Sequence, residues 1–198
     1  MTPELPTGDV QGFGHVRIVM GMITGLAVTR LLGGLARFVQ HPGRTPIYPA
    51  HLIWVIFMLV FVTHYWWFQF GLARIERWDY PQYVFVLTYC ALIFFLSTLL
   101  FPDQMNEYSG YAEYFTSRAG WFYGLLGVLF LIDIADSAMK GMAHFRSLGP
   151  LYPILQTALI SLALAGMVVT RRGFHIGFGL FAIGVEIWRI FSRYLWLD

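Results

Sequence analysis

Polar and apolar positions along this chain fall into long blocks and do not alternate residue by residue. Six apolar stretches stand out, at approximately Arg17–Val39, Pro49–Leu72, Pro81–Phe101, Gly120–Ala138, Pro150–Thr170 and Gly173–Tyr194. Each is near the roughly 17–25 residues that a membrane-crossing helix needs. The separators carry proline, glycine and charge: HPGRTP, ARIERWDYP, PDQMNEYSGYAEYFTSR, KGMAHFRSLG and RRG. None of the six shows the period-two pattern of a lipid-facing β-strand. The pattern predicts an all-α membrane protein, a single integral domain over residues 1–198 built as a bundle of six transmembrane helices.

Proline placement agrees with straight spans. All 9 prolines (the first two are Pro3 and Pro6) fall in termini, loops or first helical turns, where the missing N–H is not needed. Nothing marks the broken helices that many transporters wrap around their ions. Pro46-Ile47-Tyr48-Pro49 opens the second stretch and Pro150-Leu151-Tyr152-Pro153 the fifth. Three spans apart, such a repeat implies a 3+3 inverted duplication; the competing explanation is that Tyr and Pro both favour interfacial helix starts.

Composition sharpens the class. Of the 198 residues 58% are hydrophobic and 12% charged, about half the roughly 25% charge of an average soluble domain. Disorder, secreted disulfide scaffolds and nucleic-acid binding are excluded; the partner is the lipid bilayer. The net charge of +2 is uninformative, and the lone Cys90 forms no intramolecular disulfide. The acidic, proline-containing N-terminus has no basic signal-peptide region, so the first stretch reads as a retained span. Counting Lys and Arg alone, a cytoplasmic N-terminus puts Arg17, Arg74, Arg77, Lys140, Arg146 and Arg193 inside. Arg44, Arg118, Arg171 and Arg172 then lie outside, with Arg37 close by. The bias favours both termini in the cytoplasm. The longest connection, with Asp103, Glu107 and Glu113, then faces outward.

Ionisable residues inside spans cost several kcal/mol unless paired or wetted, so they are the functional pointers. Asp133 and Glu186 each lie roughly 20 Å from the outer boundary at 1.5 Å per residue. Asp133, Asp136 and Lys140 fall at i, i+3 and i+7, as do Glu186, Arg189 and Arg193, which puts each set on one helix face. The two stripes are complementary in charge, and His64 shares their depth. Two readings follow: a clamp with Asp136–Lys140 and Glu186–Arg189 pairs, or a wetted proton or ion pathway through Asp133, Asp136, Glu186, Arg189 and His64. Arg30, roughly 13 Å below the outer boundary, has no acid at its depth in these spans; it either bonds carbonyls or snorkels, or faces a polar cavity or anionic group.

Gly21, Gly25, Thr29 and Gly33 recur at every fourth position of the first span. This small-residue stripe permits close helix approach, within the chain or in a homo-oligomer; Gly173 and Gly177 form a shorter pair. His51 and His64 are thirteen residues apart on one helix, about 220° of rotation, and cannot chelate one metal. No Cys-His zinc spacing exists, so no metal site is expected. No cofactor is assigned, and haem and quinone stay open. The aromatic run Tyr65-Trp66-Trp67-Phe68 with Phe70 reads as an interfacial belt, or as a flat wall for a quinone or lipid. No Walker, Rossmann, zincin or nucleophile-elbow motif is present.

The runs Gly25-Leu26-Ala27-Val28-Thr29-Arg30-Leu31-Leu32-Gly33-Gly34-Leu35-Ala36-Arg37, His51-Leu52-Ile53-Trp54, Tyr65-Trp66-Trp67, Phe101-Pro102-Asp103 and Arg118-Ala119-Gly120-Trp121-Phe122-Tyr123-Gly124 occur in this order. Together they resemble an uncharacterised bacterial family of small multi-span inner-membrane proteins. The resemblance covers most of the chain, carries no activity, and implies a bacterial inner (cytoplasmic) membrane.

Three functions fit the residues. The first is a channel- or transporter-like protein moving protons or small ions through the polar cluster. The second is a non-catalytic accessory or assembly subunit of a larger membrane complex, docking through the glycine stripe. The third is a redox or lipid-modifying enzyme using the aromatic patch beside His64. Enzyme chemistry is the least supported, because no second convergent polar group is free at that depth.

Overall fold

A computed structural model describes residues 7–194 apart from 42, 44, 45 and 76, and leaves undescribed the side chains of 7–11, 74, 193 and 194. Pro3, Pro6, Pro42, Arg44 and the side chains of Arg74 and Arg193, counted above, lie outside the described residues. Among those described there are seven α-helices and no strand. They are α1 (Thr7–Gln40), α2 (Pro49–Phe68), α3 (Tyr80–Leu100), α4 (Tyr111–Met139), α5 (Met142–Ser147), α6 (Leu151–Gly166) and α7 (Arg172–Tyr194). Short 3-10 turns follow α2 at Gln69–Arg74 and precede α4 at Met105–Glu107.

Five helices are long and apolar enough to cross a membrane, those containing Gly12–Gln40, Pro49–Ala73, Tyr80–Leu100, Tyr111–Met139 and Arg172–Ser192. The protein is therefore a helical membrane protein with five candidate spans among its described residues, where the apolar pattern predicts six. The difference is α6, which has 16 residues and is about 24 Å long, short of the roughly 30 Å hydrocarbon core. It stops at Gly166, and the β-branched run Val168-Val169-Thr170 behind it is poorly disposed to helix. Apolarity continues past the helix end, so a hydropathy window overshoots it.

Two other boundaries shift. Helix α1 begins ten residues before the apolar stretch, with Gly12 against the Trp78 ring. Helix α4 begins nine residues early, and its first turn includes Glu113, which accepts from the Ser109 N–H at 2.8 Å. Glu113 and Arg118 therefore lie on a helix and not in the long connection. The two Pro-x-Tyr-Pro motifs behind the inverted-repeat expectation do not sit alike on their helices. Tyr48 is the N-cap of α2 and Pro49 its first residue, whereas Pro150 is the N-cap of α6 and Tyr152 its second residue. The same letters occupy different turns.

Inside lipid, apolar burial does not drive helices together, so close packing and polar contacts must. Helix α2 touches α1, α3, α4 and α7; α1 lies mainly along α3, and α4 along α6 and α3. The closest approaches occur at glycine. A Cβ at Gly179 of α7 would stand 2.5 Å from the Ile53 side chain of α2, and one at Gly166 of α6 would stand 2.8 Å from the Tyr123 ring of α4. A Cβ at Gly34 of α1 would collide with the Phe101 ring. By contrast Gly25, Gly33, Gly173 and Gly177 face open space, and Gly21 alone of the stripe lies under a ring, Trp66. Trp54, Phe57, Phe122, Phe130 and Phe178 form a continuous aromatic layer across the interior, with Trp54 edge-on to Phe57, Phe122 and Phe178 at 5.0–5.3 Å.

Candidate intramembrane polar cluster

On one side of that aromatic layer, five helices bring polar side chains to one buried place. Asp133 and Asp136 come from α4, whose end carries Lys140; Glu186 and Arg189 come from α7, His64 from α2, Tyr89 from α3, and Tyr152 and Gln156 from α6. All of these residues are buried. The helical i, i+3 and i, i+4 spacings place both expected pairs: Lys140 Nζ donates to Asp136 Oδ2 at 2.5 Å, and Arg189 Nη1 to Glu186 Oε1 at 3.1 Å. Contacts between helices extend the Glu186–Arg189 pair into a wider network, and the Asp136–Lys140 pair lies one turn from it on α4. Arg189 Nη2 donates to Asp133 Oδ2 at 2.8 Å, and the His64 Nδ1 ring nitrogen meets Glu186 Oε2 at 2.6 Å.

Asp133 is the hub. Its carboxylate accepts from Tyr89 Oη at 3.0 Å, from Tyr152 Oη at 3.1 Å, from Gln156 Nε2 and from Arg189. A charge in a low-dielectric interior persists only with such compensation. Asp136 has a thinner shell, with Lys140 and a long contact from Gln69 Nε2 at 3.4 Å. Lys140 itself lies over the Phe68 ring, 3.4 Å from its centroid, a cation–π contact strengthened by desolvation. Ser137 Oγ and Tyr152 Oη, 3.0 Å apart, extend the hydrogen-bonded chain toward α5.

Arg30 does not join this network. It lies toward the other end of the bundle, donating to the Phe101 carbonyl at 2.9 Å and pairing with Asp103 in the connection after α3. The acid it needs comes from outside the spans drawn on the sequence. Nor do Tyr65–Phe70 make one flat wall. Tyr65 turns inward to Cys90 Sγ at 3.2 Å, and Phe68 is buried under Lys140. Trp67 and Phe70 are exposed, while Trp66 lies against α1. His51, thirteen residues from His64, bonds the Leu100 carbonyl at 2.5 Å and stacks on Tyr111.

The residues that sequence reasoning missed carry no formal charge. Tyr89, Tyr152 and Gln156 are the main donors to Asp133, and a count of formal charges overlooks them. Gln156 was the visible signal, a lone amide in an otherwise apolar stretch.

No family model, curated protein or solved structure matches this chain in fold or sequence.

Proposed function

We propose that this is a channel- or transporter-like membrane protein that moves protons by way of the cluster centred on Asp133, Glu186 and His64. One observation carries the reading: the charge count of the buried network. It contains three carboxyls (Asp133, Asp136, Glu186), two fixed cations (Lys140, Arg189) and one imidazole (His64). Net charge in a membrane interior is strongly disfavoured. Electroneutrality of these groups calls for one further proton, and the 2.6 Å His64–Glu186 contact is the hydrogen bond that joins the imidazole to a carboxyl. From Glu186 the network runs through Arg189 to Asp133 and on to Tyr152 and Ser137.

The aromatic layer around Trp54 and Phe130 closes the way from the cluster to the Arg30 end in this conformation. Passage across the bundle therefore needs a second arrangement. Helices α4 and α7 make no close backbone contact among the described residues, and Arg189 alone ties their charges together. Its release from Asp133 is the step we assign to opening. The resemblance to bacterial inner-membrane proteins and the Lys/Arg bias support an inner-membrane location with both termini cytoplasmic, which requires the short α6 to serve as the return crossing: its start meets Asp133 and its end meets Tyr123. The test is proton flux in proteoliposomes under a pH gradient. Asp133→Asn and Glu186→Gln should each abolish it; unchanged flux in both leaves the cluster as a structural clamp.

A second reading is favoured by one separate observation. Gly25, Thr29 and Gly33 form an exposed small-residue strip on α1 that no helix among the described residues covers. Such a strip suits helix docking, in a homo-oligomer or as an accessory subunit of a larger complex. Mild-detergent purification with mass spectrometry separates the two: other subunits retained in fixed ratio support the accessory role, and a lone homo-oligomer counts against it.

A further inference from the structure

We propose that the groove between α1 and α3 at the Arg37 end seats one anionic phospholipid, independently of the proton reading. The groove holds about 530 Å³, within the roughly 300–1,000 Å³ of small-ligand sites. Its polarity is graded along α1. Arg37 and Gln40 stand at the helix end, Arg30 and Gly33 one to two turns below, and Leu26 with Phe94 of α3 at the bottom. From Gln40 to Leu26 is about 21 Å, the reach of a headgroup with the upper part of an acyl chain.

Charge favours a phosphodiester at the upper end. Arg30 donates to the Phe101 carbonyl and pairs with Asp103, whose side chain is 83% exposed. Among the described residues Arg37 has no acidic partner. Two guanidiniums against one carboxylate leave one positive charge, the complement of a singly charged phosphate. Guanidinium is the side chain best matched to phosphate oxygens.

Shape favours a chain at the lower end. Nothing lies within 4 Å of where a Cβ at Gly33 would stand, while Gly34 beside it lets the Phe101 ring close the floor. The Thr29 hydroxyl is already bonded to the Gly25 carbonyl at 2.8 Å, so it adds no unpaired polar group beside the acyl chain. The lipid and the helix-docking reading compete for Thr29 and Gly33: a partner helix reaching into this groove would bury Arg30 and Arg37 against apolar side chains, whereas an amphiphile satisfies both ends.

The test is native mass spectrometry of the protein released from nanodiscs of equal phosphatidylglycerol and phosphatidylcholine, with inorganic phosphate as competitor. The proposal expects one retained phosphatidylglycerol, preferred about tenfold, the effect of one good charged contact. Arg37→Gln should remove the headgroup preference, and Gly33→Leu should fill the chain seat and lower retention of both lipids. Both positions are exposed, so melting temperatures should stay near wild type and confirm folding. Equal retention of both lipids in the wild-type protein overturns the proposal. So does displacement by phosphate alone, which makes it a free-anion site, or insensitivity to either variant.

Discussion

Arg189 on α7 holds Asp133 on α4 at 2.8 Å, although the two helices make no close backbone contact among the described residues. The arginine side chain is long enough to cross that gap. Its other terminal nitrogen keeps Glu186 at 3.1 Å, so one guanidinium serves two carboxylates from two helices. Lysine, a point charge on a similar stem, lacks the planar fork this requires.

Arg189→Met therefore removes the guanidinium that two buried carboxylates share, leaving Asp133 with neutral donors alone. Breaking a buried pair from one side costs about 3–5 kcal/mol, and a fall of that size is expected in reversible unfolding from mild to denaturing detergent. Adding Asp133→Asn should return part of the loss, since the stranded charge is then gone. Additive losses in the double variant would mean the two residues do not interact.

The glycines separate into those that pack and those that face outward. Gly34→Ala and Gly179→Ala each drive a methyl into a neighbouring side chain, and overpacking costs about 1–3 kcal/mol. Gly33→Ala and Gly25→Ala meet nothing within the chain and should leave the unfolding of the isolated protein unchanged. Measured in parallel, equal losses at Gly33 and Gly34 would contradict the helix contacts described.

Orientation is open to a direct check. In a Cys90→Ala background, Glu107→Cys should react with a membrane-impermeant maleimide in intact cells, because this connection faces outward if both termini are cytoplasmic. Reaction only after permeabilisation reverses the topology. Cys90 is fully buried, so the wild-type protein should stay unlabelled.

Much of this architecture is written in the block pattern of the sequence, because lipid requires runs of apolar residues whatever the packing. The places where it misleads share one cause: hydropathy measures burial preference and not backbone shape. Met167–Thr170 is apolar but not helical, and 111–119 is polar but helical. The cluster was legible in the spacing of Asp133, Asp136 and Lys140 and of Glu186 and Arg189, since a helix fixes which residues share a face. Which face meets which helix is a tertiary fact, and no one-dimensional period contains it. The glycine stripe shows the same limit: the repeat at Gly21, Gly25 and Gly33 is regular, yet the tight contact falls on Gly34, one residue aside.

The central claim is that the cluster keeps one exchangeable proton because it has one more carboxyl than fixed cations. The variant pair His64→Gln and His64→Gln with Glu186→Gln isolates it. The single change leaves three carboxyls facing two cations and should lower the melting temperature; the double change restores balance and should bring it back toward wild type. Proton flux under a pH gradient should be clear in wild-type vesicles and absent from the double variant despite its recovered fold. Flux that survives in the double variant, or wild-type vesicles no leakier to protons than protein-free ones, would contradict the account.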